Sequence, residues 1–207
     1  MYATYEIKET WDGHTVEHSP ISVRLEGCTS GGVLSSGHHI KTIVDAPFFN
    51  DPPPAIPPGI CPKLWDHEVF EVFFANEKNQ YLEVEVGPHG HWLCLMHDGI
   101  RNAFNKGENL KLEVSATIKN SKWHAEFKIP LAYMPPAVKS FNMYAIHGSA
   151  ENRIYEALNK VTDGTYSFPD YHRLQFFKPI DITLFIPENL SSIPYDDPVL
   201  GNFWKGH

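Results

Sequence analysis

Leu64-Trp65-Asp66-His67-Glu68-Val69-Phe70-Glu71-Val72-Phe73-Phe74, followed by Tyr81-Leu82-Glu83-Val84-Glu85-Val86, decides the fold. The first run opens on an indole and ends in an aromatic-rich strand. The second alternates, with Leu82, Val84 and Val86 on one side and Tyr81, Glu83 and Glu85 on the other. Side chains of a strand point alternately to its two faces, so a period of two marks one apolar face and one different face. The two runs predict neighbouring strands whose second face carries Glu71, Glu83 and Glu85 beside aromatic rings. That face reads either as a solvated outer surface or as a floor for a polyol ligand; its aromatic framing by Trp65, Tyr81 and Trp92 favours the floor.

Outward from this pair, strand-like segments recur at short intervals: Tyr2–Lys8, Ile21–Glu26, His39–Ala46, Trp92–His97, Lys111–Ile118, Trp123–Ile129, Phe141–His147, Ile154–Leu158 and Leu174–Ile180. Turn residues such as Asp98-Gly99, Asn120-Ser121 and Asp163-Gly164 separate them. Leu131–Met134, closed by Pro135-Pro136, predicts one helical turn. Phe48–Pro62 is crowded with proline, which removes ladder donors and predicts a rigid surface loop shaping the region before Trp65. Many strands and no amphipathic helix predict an all-β protein, an antiparallel two-sheet β-sandwich or jelly roll. The sandwich is expected over residues 1–181. Residues 182–207 are expected to form a tail anchored by Phe203 and Trp204. The predicted core is Val69, Phe73, Leu82, Val84, Val86, Leu93, Leu95, Phe127, Ile129, Tyr144 and Ile146, subject to register, because a slip of one residue inverts a strand.

The 207 residues carry 17 prolines, 14 glycines and a net charge of −8. That charge, with no Lys/Arg cluster, disfavours nucleic acid and anionic membrane surfaces as partners. The N-terminal residues lack the basic and apolar regions of a signal peptide, and no run reaches the roughly 18 apolar residues of a membrane span. Cys28, Cys61 and Cys94 suggest neither a disulfide framework nor a zinc site, so a reducing, cytoplasmic setting is expected. Nucleophile and phosphate motifs are absent.

The candidate chemistry therefore rests on the acids. Adjacent like charges are costly without a cation, and Arg101 is the expected supplier, its planar guanidinium matching a carboxylate. With Arg101 close, the acids are expected to stay ionised, which argues against a glycosidase general acid. His147 ends the apolar strand Phe141–Ile146 and reads either as a site residue or as part of a hydrogen-bond network in the core.

Several strings resemble a known family. They are Leu64–Glu71, Tyr81–Gly90, Phe141 with Ala145–Ser149, and Tyr155-Glu156-Ala157-Leu158, together with Trp11-Asp12-Gly13 and Ala46–Pro53. They resemble the family typified by the product of chromosome 4 open reading frame 33, from about Tyr5 to Ile180. More distantly the arrangement is similar to DOMON-like domains and family-nine carbohydrate-binding modules, which implies a two-sheet sandwich gripping a sugar between two tryptophans. By order along the chain, Trp65 takes the first tryptophan's place, Glu71 the glutamate's, Glu85 that of an amide and Arg101 the arginine's. The second tryptophan has no counterpart beyond Tyr155, Tyr166 or Phe168. The modules hold structural calcium, so the resemblance implies calcium as the one possible cofactor; the residues themselves imply none. Pro169-Asp170-Tyr171-His172 resembles a Pro-Asp-Phe-His string of bacterial DOMON-like relatives, and also reads as a turn held by the aspartate side chain.

The expected function is a non-catalytic binding domain for a small polar ligand, best a carbohydrate. Its expected ligand-binding residues are Trp65, Glu71, Glu83, Glu85, Arg101, His147 and Tyr155. The alternatives are a hydrolase or isomerase acting on a sugar through the same carboxylates, and a protein-interaction module with a vestigial site.

Overall fold

A computed structural model describes residues 1–28, 38–186 and 200–207. The middle of the expected tail, residues 187–199, lies outside them. Twelve strands are described: β1 (Tyr2–Ile7), β2 (Ile21–Cys28), β3 (His39–Pro47), β4 (Val69–Ala75), β5 (Gln80–Val86), β6 (Trp92–Asp98), β7 (Ala103–Asn105), β8 (Glu113–Lys119), β9 (Lys122–Pro130), β10 (Ser140–His147), β11 (Ile154–Ala157) and β12 (Lys178–Pro179). They form two antiparallel sheets. The smaller runs β1-β2-β3-β9-β8; the larger runs β11-β10-β4-β5-β6-β7, with β12 beside β10. The protein is a two-sheet β-sandwich.

Local chemistry sets the connections. Asn120 and Ser121 both take positive φ (52° and 56°), the conformation of a two-residue hairpin turn that matches strand twist, and join β8 to β9. Asn76 Oδ1 accepts from the amides of Lys78 and Gln80, which builds the β4–β5 turn and fixes the register of the two acid-bearing strands. The predicted helical turn is a 3-10 turn at Leu131–Tyr133. Leu174–Ile180 is not one strand: a 3-10 turn at Leu174–Phe176 leads into the two-residue β12.

The main core lies between the sheets. From the larger sheet it takes Phe70, Val72, Phe74, Leu82, Val84, Val86, Cys94, Met96, Phe141, Met143 and Ala145, which meet Phe127 and Ile129 of the smaller one. The tail contributes as well. Ile182 and Phe185 enter this core, and Trp204 is buried there, donating from Nε1 to the Tyr133 carbonyl at 3.1 Å. Phe203 packs edge-on against Tyr133.

Six predicted core residues face the other way. Val69, Phe73, Leu93, Tyr144 and Ile146, with the half-buried Leu95 packed on them, belong to a second apolar cluster on the outer face of the larger sheet. The cause is that both faces of β4, β6 and β10 are covered, so apolar side chains stand on both sides and the few polar ones do not mark the parity. Trp92 shares the parity of Cys94 and Met96 and packs towards the main core, so it does not frame the acids. The outer face is roofed by the turn at Leu64–Asp66, which follows the proline-rich loop, and by residues 155–177; it is not a solvated surface.

Candidate functional site

Beneath that roof, on the outer face of the larger sheet, lies a cavity of about 440 Å³. Its floor follows from the register. Glu71 stands directly opposite Glu85 across β4 and β5, Glu83 opposite Phe73 and next to Leu95, and Tyr81 opposite His97. Three carboxyl groups thus gather on one face, and all are buried: Glu71 is 2% exposed, Glu83 3% and Glu85 0%.

Burial sets their charge. Carboxylates gathered in a poorly solvated place repel one another, which favours the protonated form. Desolvation then decides. It pushes Glu71 well above the usual carboxylate range, with Glu83 adding to the rise and the Arg153 guanidinium opposing it too weakly. Glu85 is raised in the same way by burial, then by Glu71 and Glu83. The expectation that Arg101 keeps the acids ionised is therefore corrected. Arg101 lines the cavity, but its Nη2 donates to Asp170 Oδ1 at 2.7 Å at the rim. Glu83 is held differently, paired with His97 Nε2 at 2.9 Å. Among the described residues, neither Glu71 Oε1 nor His97 Nδ1 has a hydrogen-bond partner.

The walls come from remote segments. Trp65 sits on a 3-10 turn (Leu64–Asp66) entered through Lys63 in the left-handed conformation. Arg153 clamps this turn, donating to the carbonyls of Trp65, Asp66 at 3.0 Å and His67 at 3.3 Å. Tyr155, with the Arg153 guanidinium 5.9 Å from its ring, forms the adjoining wall. Opposite them, Pro169, Asp170, Tyr171 and His172 all line the cavity. Asp170 Oδ1 accepts the His172 amide, so the turn expected of that string exists, and the same oxygen receives Arg101. Arg173 braces the segment, its guanidinium 3.8 Å from the Tyr166 ring centre while Nη1 donates to the Phe168 carbonyl.

Tyr81 links floor to wall. Its hydroxyl accepts the Arg101 amide at 2.9 Å and pairs with His172 Nδ1 at 2.6 Å, while its ring stacks on His97 at 4.2 Å. Burial pulls the His172 pKa down to about 4. A neutral ring with Nδ1 accepting from Tyr81 carries its proton on Nε2, which supplies a donor opposite the acids.

Of the predicted residues, Trp65, Glu71, Glu83, Arg101 and Tyr155 line the cavity. Glu85 lies beside Glu71 without reaching the lining. His147 points away: Ile146 lines the cavity, so its strand neighbour faces the opposite side, where His147 Nε2 meets Glu156 Oε1 at 2.9 Å. The reading of His147 as part of an internal network is the one the structure shows. His97, Asp170, Tyr171, His172 and Arg153 were not singled out as site residues. The Pro-Asp-Tyr-His string was the signal for three of them.

Among the described residues, two groups could hold a metal ion, Glu83 with His97 and His172, and His18 with His147 and Glu156. Both contain imidazole nitrogens, whereas calcium takes oxygen ligands. Among the described residues, no helix is long and apolar enough to cross a membrane.

The two antiparallel sheets define the class as a two-sheet β-sandwich. In fold the chain is similar to a Bacteroides uniformis protein described as a candidate carbohydrate-binding protein, with a TM-score of 0.58 and 12% identity over 86% of this chain and 84% of that one. A family 9 carbohydrate-binding module from Caldicellulosiruptor kristjanssonii, solved with glucose, is a fainter likeness at a TM-score of 0.47 and 9% identity, covering 84% and 78% of the two chains. No protein-family model matches. Curated relatives are closer in sequence. The mouse UPF0462 protein C4orf33 homolog is 43% identical over 190 residues, covering 89% of this chain and 94% of its own length. The zebrafish (Danio rerio) homolog is 44% identical over 186 residues (87% and 88%), and human UPF0462 protein C4orf33 is 38% identical over 190 residues (89% and 90%). The chain belongs to the UPF0462 C4orf33 family.

Proposed function

We propose that the protein is a non-catalytic binding domain for a small carbohydrate, held in the cavity on the outer face of the larger sheet. The observation that carries this reading is the buried Glu71 oxygen, without a partner among the described residues and on a cavity walled by aromatic rings. A buried polar atom left unpaired costs about 1–3 kcal/mol, and a ligand hydroxyl that reaches it recovers that energy. Burial favours the protonated form of Glu71, in which the carboxyl can both donate to and accept from a hydroxyl. Glu83 accepts, His172 Nε2 donates, and the Arg101 guanidinium retains free donors at the rim beside Asp170. Trp65, 38% exposed, offers a ring face for the C–H surface of a sugar. The volume suits one or two sugar rings. The fold shared with the Bacteroides uniformis protein agrees with this reading.

Calorimetry against a panel of mono- and disaccharides tests it. A sugar should bind with a heat that vanishes in Trp65→Ala, whose melting temperature stays near that of the parent. A panel without any binding, or binding unchanged by Trp65→Ala, would overturn the proposal.

One observation favours a second reading. Glu71, held neutral, and Glu83, paired with His97, are two carboxyl groups whose surroundings differ, the arrangement of an acid with a base. A glycosidase would use Glu71 as the proton donor. Release of chromophore from aryl glycosides, abolished in Glu71→Gln, would establish it over the binding reading.

A further inference from the structure

Several residues of the family strings face away from the cavity. Phe49 and Asp51 from the proline-rich loop, His147-Gly148, and Glu156 of Tyr155-Glu156-Ala157-Leu158 meet on the opposite side of the β10–β11 ribbon, where His18 joins them. His147 Nε2 lies 2.9 Å and His18 Nε2 3.2 Å from the same oxygen, Glu156 Oε1. We propose that His18, His147 and Glu156 form a binding site for one divalent transition-metal ion of the zinc type.

The hydrogen bonding of His18 carries the inference. Its Nδ1 lies 2.9 Å from the Ser19 carbonyl, which can only accept, so Nδ1 bears the proton. In the neutral ring Nε2 then has a bare lone pair, and that lone pair faces a carboxylate oxygen. Two lone pairs repel, so a cation belongs between them. Nε2 lies within ion-pair distance of the acid and, among the described residues, makes no hydrogen bond of acceptable geometry. A metal ion need not sit on the nitrogen–oxygen line. Ligands ~2.1 Å from a tetrahedral ion are roughly 3.4 Å apart, so the observed spacings need open by only a few tenths of an ångström.

The surroundings agree. The Ser19 carbonyl is the outer partner that metal-ligating histidines commonly have, fixing tautomer and ring orientation. The Phe49 ring stacks on His147 at 3.5 Å and holds it in place. Asp51 Oδ2 accepts the Gly148 amide at 2.6 Å, pinning the turn after His147. Gly148 has φ +80°, and a Cβ there would come within 2.3 Å of the Asn152 carbonyl oxygen, so the turn is built for glycine. Glu156 Oε2 is buried without a partner among the described residues. The His18 side chain is 17% exposed, which leaves an approach for the ion and a position for water. Two imidazoles and one carboxylate suit zinc and its first-row neighbours, and not calcium or magnesium.

The test uses the full chain, stripped with a chelator and titrated with Zn²⁺. One equivalent should bind and, at a hundredfold excess over its Kd, raise the melting temperature by about 5–10 °C. Binding should vanish in His18→Ala and persist in His172→Ala, which separates this site from the cavity. Histidine-ring NMR of the unchanged protein supplies a readout independent of folding in any variant: Zn²⁺ should shift the His18 and His147 rings and leave His97 and His172 in place. Absence of binding, retention of binding in His18→Ala, or shifts confined to His97 and His172 would each overturn the proposal.

Discussion

Tyr81→Phe removes one oxygen and leaves the aromatic packing intact. That oxygen is the sole hydrogen-bond partner shown for the Arg101 amide and for His172 Nδ1, at 2.9 and 2.6 Å. Both groups would be stranded in a poorly solvated site, at ~1–1.5 kcal/mol each. Arg101 also stands at φ 56°, in the left-handed region, and loses the bond that helps hold it there. The expected destabilisation is about 2–3 kcal/mol, or roughly 5–10 °C in melting temperature for a chain of this size. Urea unfolding at pH 7 measures it, with an unchanged denaturant slope showing that only stability moved. Histidine-ring NMR should show His172 losing its single tautomer. A loss under ~0.5 kcal/mol with the His172 tautomer unchanged would refute the role given to the hydroxyl.

Glu68 makes the pH dependence testable. Burial raises its pKa from 4.5 to about 7 although the Phe49 and Asp51 amides donate to it. The folded state thus keeps a proton the unfolded state gives up, so this group's contribution is full below pH ~4.5 and fades as pH rises to ~7, by at most about 3 kcal/mol. Relative to the parent, Glu68→Gln should gain stability over that window in denaturant titrations at each pH. Burial raises Glu71 well above the usual carboxylate range, so Glu71→Gln, its nearest neutral isostere, should change stability at pH 7 by under ~1 kcal/mol; a much larger loss would mean that the carboxyl is charged. Trp204→Ala should cost about 3–5 kcal/mol by thermal unfolding, because the ring is 2% exposed in the main core.

How far the sequence could be read depended on how each strand is covered. β5 alternates acids with aliphatics, so its two faces were legible at once, as was the meeting of Glu71 with Glu83 and Glu85. β4, β6 and β10 are apolar on both sides, because one face meets the other sheet and the second meets the roof; Phe73, Leu93 and Ile146 therefore look no different from Phe74, Cys94 and Ala145. His147 was misplaced as a site residue for the same reason, its parity being visible only once Ile146 is oriented. Arg101 was legible as a cation near the site, but its partner Asp170 lies 69 residues away and nothing local links them. Pro169-Asp170-Tyr171-His172 was legible as a string and as a turn. Its place opposite the acids depends on long-range closure.

The β10–β11 ribbon is only four residue pairs long, and it carries Ile146 and Tyr155 on one side and His147 and Glu156 on the other. The two sites therefore share a backbone, back to back. An ion gripped on one side would lower the conformational freedom that a sugar must otherwise freeze out on the other, and each ligand would tighten its neighbour by the same factor. Such a reciprocal effect would make the ribbon a thermodynamic hinge between two chemistries that never touch.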